Sequence, residues 1–454
     1  MAQVAAISHA GAAEIVAFDG TNPITAARFV ADVQRAAARL PDRSHMVNFC
    51  GDRYRFAVVF VAALVRGQIN LLPPNQTPEM LGKLRLEYGD FYVFGDTPQD
   101  LGDIECVMYP SGPEAVVSPH AQDYCVPAFA QDQVAAIAFT SGSTGLPTPH
   151  RKTWGALARG AVAEAVRFGL DAGARATLVG TVPPQHMYGL ESSVLMALCN
   201  GLALHAGRPF YPADIAAALA AIPGERVLIT TPVHLRALLA ENVALPPLRA
   251  IVCATAPLAQ ETAAQAEARY RAPLHEVYGF TEAGMVATRR TVEGSSWHCL
   301  RDLRLRKDGN GVMVAGGHVE VEAAFTDIVE LQADDAFILH GRNADLVNIA
   351  GKRTSLGYLN HQLNAIEGVR DGVFFMPDEN ADAVARLMAF VVAPGITRDD
   401  LLAALRARID AVFLPRPLLF LDALPRNATG KLPREALLRH AQAWSAKTKR
   451  EGTI

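Results

Sequence analysis

Short apolar runs alternate along the chain with longer stretches in which Ala, Leu and Val recur at helical spacing, and this alternation predicts an α/β protein. Met46–Phe49 leads into a helix over Arg53–Arg66, and Val227–Thr230 into a helix over Val233–Glu241. Ala250–Cys253 is followed by a helix from Ala259 to Tyr270, ahead of a strand at Glu276–Tyr278. Such a rhythm builds mostly parallel sheets covered by helices, because crossover helices must lie on the sheet faces. Ligands of such sheets sit beyond the carboxyl ends of the strands, where the loops after Phe139, Cys253 and Tyr278 fall.

Beyond residue 341 the pattern becomes compact α+β. Gly372–Met376 and Leu387–Val392 read as strands around the polar turn Asp378–Asp382. Thr397-Arg398-Asp399-Asp400 reads as a capping box opening a helix over Leu401–Phe413. At 454 residues the chain is longer than one hydrophobic core usually serves. The expectation is a large N-terminal domain over residues 1–341 and a small C-terminal domain over residues 342–454.

Composition narrows the function classes. Half the residues are hydrophobic and the net charge is −4, so there is material for sizeable cores and no general attraction to nucleic acid or anionic membranes. The six cysteines form no C-x-x-C pair, which suggests neither a zinc site nor a disulfide framework, but buried thiols in a reducing compartment. The N-terminus lacks a basic region and no apolar run is long enough to span a bilayer, so a cytoplasmic location is expected.

The sharpest chemical signal is Phe139-Thr140-Ser141-Gly142-Ser143-Thr144-Gly145, placed directly after the apolar run Val134–Ala138. Gly142 and Gly145 allow close backbone approach to an anion, and Thr140, Ser141, Ser143 and Thr144 offer hydroxyl and amide donors. No Gly-Lys-Ser/Thr completes a Walker A motif. Taken alone, a Ser/Gly cluster is as readily a surface turn.

Four further segments change that balance. Tyr278-Gly279-Phe280-Thr281-Glu282, Phe325-Thr326-Asp327, Gly341-Arg342-Asn343-Ala344-Asp345 and Pro425-Arg426-Asn427-Ala428-Thr429-Gly430-Lys431 follow in that order. Together with the glycine-rich loop they resemble the core motifs of the adenylate-forming superfamily, which contains acyl- and aryl-CoA synthetases, peptide-synthetase adenylation domains and luciferases. The resemblance runs from about Val134 to Leu438.

That resemblance implies ATP and magnesium as cofactors and a mobile C-terminal lid. It makes Thr281 the α-phosphate hydroxyl, Glu282 the magnesium carboxylate, Tyr278 and Gly279 part of the adenine site, and Asp327 the ribose ligand. Thr255, Ala256 and Pro257 belong to a small-residue adenine loop; Arg342 holds ribose or phosphate; Asp345 is the pivot of the lid. Lys431 is the adenylation lysine, and His186 shields the site and borders the acyl pocket. Gly351 matches the glycine past which a pantetheine thiol enters for a second half-reaction. One departure stands out: where the family carries Pro-Lys, Pro147 is followed by Thr148-Pro149-His150-Arg151-Lys152, so the cation is expected at Arg151 or Lys152, or pyrophosphate contact is looser.

The acyl pocket is expected between Met187, Tyr188, Gly189, Ser192 and Ser193 on one side and Gly279, Phe280, Met285 and Val286 on the other. No fixed aspartate for an α-amine stands out, which disfavours amino acids. The short chain, the Asn70–Pro74 region and Phe139–Trp154 look like the stand-alone acyl or aryl ligases of pigment and polyene pathways, which load an acyl carrier protein. An aryl acid is favoured, with a medium-chain fatty acid second, and CoA or a carrier-protein phosphopantetheine as acceptor. An enzyme that stops at the acyl-AMP, and a degenerate binding protein, stay open; retention of Glu282, Asp327, Arg342 and Lys431 argues against the last. The sequence leaves the oligomeric state open.

Overall fold

The computed structural model describes residues 2–99, 101–110, 124–141, 147–171, 173–309, 311–342, 346–349, 352–377, 386–427 and 430–450. The chain divides into two compact units, Met1–Ala324 with Ala333–Ala336 and Phe325–Gln332 with Phe337–Ile454.

In the first unit one sheet runs in the order Pro147–Thr153, Val134–Ser141, Ile69–Leu72, His45–Asn48, Tyr92–Gly95, Cys106–Met108. Its pairings are parallel except the first, where Pro147–Thr153 lies antiparallel along the edge. Edge placement is what allows Pro147 and Pro149 in a strand, since a proline cannot donate to a second neighbour. A second sheet places Leu274–Phe280, Ala250–Cys253, Glu225–Thr230, Ala176–Gly180, Ala203–His205 and Ile15–Asp19 side by side, all parallel. Gly284–Arg289 and Asn22–Thr25 flank that block in antiparallel pairings. A meander of Leu303–Asp308, Gly311–Gly316 and Val319–Ala324 completes the unit.

The parallel strands are buried on both faces, which is why Ala250-Ile251-Val252-Cys253 is apolar at every position rather than alternating. Helices Pro212–Ala221, Pro232–Ala240 and Gln260–Tyr270 supply Leu219, Leu235, Leu238, Ala263 and Ala266 to the core over this sheet. The helix Arg53–Val65 is buried over almost its whole length; Asp52 caps it by accepting from the Arg55 N–H at 2.8 Å.

The second unit carries the hairpin Leu346–Ile349 with Lys352–Ser355. Its small sheet pairs Asp371–Phe375 with Met388–Val392 antiparallel and Leu418–Phe420 parallel to the latter. Phe374, Leu401, Leu405 and Leu418 fill one core of this unit, and Phe375, Phe390 and Leu437 another. The capping box forms, with Thr397 Oγ1 accepting from the Asp400 N–H at 3.2 Å, but the helix begins earlier and is shorter than expected. It spans Arg398–Arg406, and a separate 3₁₀ turn covers Ala411–Phe413 after Asp410 has re-capped the chain by accepting from the Val412 N–H. The turn Asp378–Asp382 lies outside the described residues. All six cysteines are free; Cys50, Cys253 and Cys299 are buried as expected, while Cys125 is exposed and Cys106 and Cys199 are partly so. Among the described residues no helix is long and apolar enough to cross a membrane.

Candidate active site

Val134–Ser141 brings Thr140 to the carboxyl end of the six-stranded sheet, followed by Ser141 at the strand end. Gly142, Ser143, Thr144 and Gly145 lie outside the described residues. On the returning strand, side chains two apart share a face, so His150 and Lys152 project together. Thr140 Oγ1 lies 3.0 Å from His150 Nε2, and the same nitrogen is 3.6 Å from Glu282 Oε1. Lys152 Nζ donates to the Glu282 carbonyl at 2.8 Å. Burial lowers the His150 imidazole against the pull of Glu282. Burial also lowers the Lys152 ammonium, with Glu191, Glu282 and Glu320 opposing.

Thr281 and Glu282 occupy the turn of the hairpin formed by Leu274–Phe280 and Gly284–Arg289. The Ala283 N–H donates to the Phe280 carbonyl at 3.1 Å, and Gly284 closes the turn at φ +81°. The pairing slips by one residue at Tyr278/Gly279. That bulge presses Gly279 against the opposite strand, and a Cβ there would collide with the Gly284 carbonyl. Tyr278 is buried, its ring 5.7 Å from Trp297 in an edge contact, and the Arg289 guanidinium covers Trp297 at 4.6 Å.

The loop after Ala250–Cys253 holds Thr255 at φ +85°, a conformation costly for a β-branched residue and concentrated at functional sites. Ala256 and Pro257 follow, and the loop's far end is tied down by Glu276. This buried carboxylate accepts from the Leu258 N–H at 3.3 Å, from Arg289 Nε at 2.7 Å and from Thr291 Oγ1 at 2.6 Å. Desolvation raises Glu276, with Arg289 as the main opposing influence.

His186 is half-buried and precedes the single helical turn Met187–Gly189, which runs into a π-helical segment, Leu190–Leu195. Several side chains expected along the acyl pocket are committed elsewhere. Tyr188 Oη donates to the Thr230 and Val252 carbonyls at 3.1 and 3.0 Å. Ser192 Oγ donates to Glu164 Oε1 at 2.6 Å, and Ser193 Oγ accepts from Arg53 Nε at 3.0 Å. Gly189 packs on the Pro183 carbonyl with no room for a Cβ.

In the second unit Asp327 is half-buried at the start of the strand Asp327–Ala333. Arg342 ends Ala336–Arg342; its side chain, Asp345 and Gly351 lie outside the described residues. Lys431 is exposed, on a turn closed by reciprocal bonds: Asn427 Oδ1 accepts from the Lys431 N–H at 2.9 Å, and the Asn427 N–H donates to the Lys431 carbonyl at 2.8 Å.

Sequence reasoning missed the buried charges of the first unit, one of which, Glu191, lies beside the hairpin turn. Glu164 and Glu191 are fully enclosed, and burial pushes their carboxyls up to about 8 and about 7. Arg53, equally enclosed, is satisfied by the carbonyls of Gly180, Val182, His205 and Gly207. The one available signal was helical register: Glu164 falls three residues after Ala161, on the buried face of Trp154–Arg167.

Among the described residues no group of three His, Cys, Asp or Glu side chains is placed to hold a metal. Magnesium needs no such cage when it rides on one carboxylate together with substrate phosphates. Glu282, with its side chain 32% exposed beside Thr281, fits that use.

Comparison with known proteins agrees with this arrangement. The model of the AMP-binding enzyme family matches residues 9–322. A 4-coumarate–CoA ligase of Rhodobacter capsulatus is 31% identical over 308 residues, covering 66% of this chain and 76% of that protein. A 3-hydroxybenzoate/4-hydroxybenzoate–CoA ligase of Thauera aromatica is 30% identical over a shorter stretch of 123 residues, 26% of this chain and 23% of that protein. Among solved structures, ATP-bound MatB from Rhodopseudomonas palustris superposes with a TM-score of 0.76 at 19% identity, covering 94% of this chain and 96% of that one. The o-succinylbenzoate CoA synthetase of Bacillus subtilis in complex with AMP gives 0.76 at 18% identity, covering 94% and 95%. The chain belongs to the AMP-binding, adenylate-forming enzyme family.

Proposed function

We propose that the protein activates a small carboxylic acid, an aryl acid by preference, with ATP, and passes the acyl group to the thiol of CoA or of a carrier-protein phosphopantetheine. The observation that carries this reading is the link through His150 between Thr140, on the phosphate-loop strand, and Glu282, on the hairpin turn. It brings hydroxyl donors and a carboxylate to one place at the strand ends, where a nucleotide's phosphates need them.

In the first half-reaction a carboxylate oxygen of the acid attacks the α-phosphorus of ATP, and the bond to the bridging oxygen of pyrophosphate breaks. Thr140 and Thr281 donate hydroxyls to phosphate oxygens, Tyr278 packs on adenine, and Asp327 accepts from the ribose hydroxyls. Glu282 would hold magnesium, which when bound would offset phosphate charge. Lys431 bridges the acid carboxylate and the α-phosphate as charge builds between them; its compact ammonium suits a site where two oxygens converge. In the second half-reaction the thiol sulfur attacks the acyl carbonyl, AMP leaves, and the thiol proton is lost to solvent. Residues 342–454 act as the lid that alternates between the two steps, with Gly351 on the thiol path. The aryl preference draws support from the relatives whose names specify 4-coumarate and hydroxybenzoates.

The test is acid-dependent ATP–pyrophosphate exchange across hydroxybenzoates, cinnamates and medium-chain fatty acids, followed by product analysis with CoA and with a pantetheinylated carrier. Exchange with an aryl acid and a thioester product are expected. No exchange with any acid would sink the activity, and strongest exchange with a fatty acid would sink the aryl preference.

A further inference from the structure

Lys152 is buried on an edge strand, a position where a lysine ordinarily reaches solvent. Its ammonium donates to the main-chain carbonyl of Glu282 at 2.8 Å. The counter-charge comes from below: Glu191, fully buried in the π-helical segment, is the carboxylate that acts most strongly on it. Glu191 also lies directly under the turn, because a Cβ on Gly284 would stand 2.6 Å from Glu191 Oε1. The turn Thr281–Gly284 therefore rests on a buried acid and is tied by its backbone to a buried cation. Two strand positions before, His150 meets the Glu282 carboxylate itself. From the same strand face, then, Lys152 holds the backbone of Glu282 by a hydrogen bond while His150 stands beside its side chain.

We propose that Lys152 is a positioning residue for Glu282: by fixing the Glu282 carbonyl against the Glu191 platform, it sets the direction in which the Glu282 carboxylate meets the metal–nucleotide complex. This rests on the reading of Glu282 as the magnesium carboxylate. It assigns Lys152 a place in the site distinct from a phosphate-contacting cation, because an ammonium enclosed beside Glu191 and bonded to a main-chain oxygen is committed to the turn. Residues that orient a metal ligand commonly change metal affinity while leaving the other substrate untouched.

The experiment uses the full chain and four variants, Lys152→Met, Glu191→Gln, Lys152→Met/Glu191→Gln and Glu282→Gln. Manganese is the probe, and its binding to enzyme saturated with ATP, without acid, is read by electron paramagnetic resonance. Magnesium dependence of exchange, KM for the acid and urea unfolding are measured alongside. Lys152→Met should weaken manganese binding by about 10- to 100-fold with little change in KM for the acid, the size expected for a partner of a metal ligand. The double variant removes the uncompensated acid left by Lys152→Met, so stability should recover while metal binding stays weak. It also keeps the question open to an answer if Lys152→Met alone does not fold. Recovery of metal binding in the double variant would overturn the proposal, since Lys152 would then serve only to neutralise Glu191. Unchanged metal binding in folded Lys152→Met would overturn it too. If Glu282→Gln itself leaves metal binding unchanged, the metal assignment of Glu282 fails; if only Glu282→Gln weakens it, the assignment stands and the positioning role fails.

Discussion

Arg426 holds Asp371 with two parallel hydrogen bonds, Nε to Oδ2 and Nη2 to Oδ1, each 2.7 Å, and its remaining nitrogen donates to the Gly430 carbonyl at 2.7 Å. The fork fastens the turn that presents Lys431 to the edge of the small sheet, one residue ahead of the reciprocal Asn427–Lys431 bonds. An ammonium cannot reproduce this planar grip. If Lys431 acts in adenylate formation, Lys431→Ala should lower acid-dependent pyrophosphate exchange by about 10²–10³. Arg426→Lys should lower it by up to about 10², the scale of a misplaced group. Both variants should still transfer a supplied acyl-AMP to CoA. Equal loss of both half-reactions in Lys431→Ala would remove the step-specific role.

Glu276 joins two parts of the candidate nucleotide site, the loop at Leu258 and the hairpin at Arg289 and Thr291. Removing it leaves a half-buried guanidinium and a buried hydroxyl without their acceptor. Glu276→Ala should therefore destabilise the fold by about 3–5 kcal/mol, as expected when one member of a buried ion pair is deleted. Urea unfolding measures this. At temperatures where the variant is folded, the KM for ATP should rise more than the KM for the acid, since it is the loop from Thr255 to Leu258 that loses its anchor. A loss below about 1 kcal/mol, the range of exposed pairs, would show that Arg289 finds another acceptor.

The strands that cross the centre of the parallel sheet were legible because burial on both faces leaves them continuously apolar: Ala250–Cys253 is delimited in the sequence as it is in the fold. Pro147–Thr153 was not legible. It contains two prolines, His, Arg and Lys, and only its edge position makes those residues compatible with a strand. The enclosed charges were hidden for a related reason: Glu164, Glu191 and Lys152 carry side chains that are ordinarily exposed, and their burial depends on one another and on Ser192 and the Glu282 carbonyl. The helix expected over Leu401–Phe413 ends at Arg406, and the extended Asp410, whose side chain caps the separate turn Ala411–Phe413, keeps the two from forming one helix.

Gly279 was expected to line the acyl pocket, where a larger residue would narrow acid preference. The bulge at Tyr278/Gly279 redirects that expectation, because the position a Cβ would occupy is filled by the Gly284 carbonyl. Gly279→Ala should destabilise by about 1–3 kcal/mol, the usual cost of overpacking, with no change in the rank order of acids accepted. Unfolding midpoints and the acid panel together check this. A stable variant with a narrowed acid range would mean that the strand pair yields and the pocket receives the methyl group.

Glu164 makes stability depend on pH in a direction that can be stated. Burial raises its carboxyl to about 8, whereas in the unfolded chain it titrates near the ordinary glutamate value. Between those two values the folded protein keeps a proton that the unfolded chain has released. The folded state then binds more protons, so stability falls as pH rises through this window and levels off above about 8. Glu164→Gln replaces the acid by an amide that never ionises and whose oxygen can still accept from Ser192. The variant should gain on the parent steadily from about pH 5 to about pH 8 and hold that gain above it, read as the difference in urea midpoints at each pH. Glu191, raised to about 7 by burial and drawn back by Lys152, is present in both proteins, and its charge adds to the burial that raises Glu164. Parallel stability curves for parent and variant would show that Glu164 is charged in the folded state, and that a compensating cation or water reaches its second oxygen.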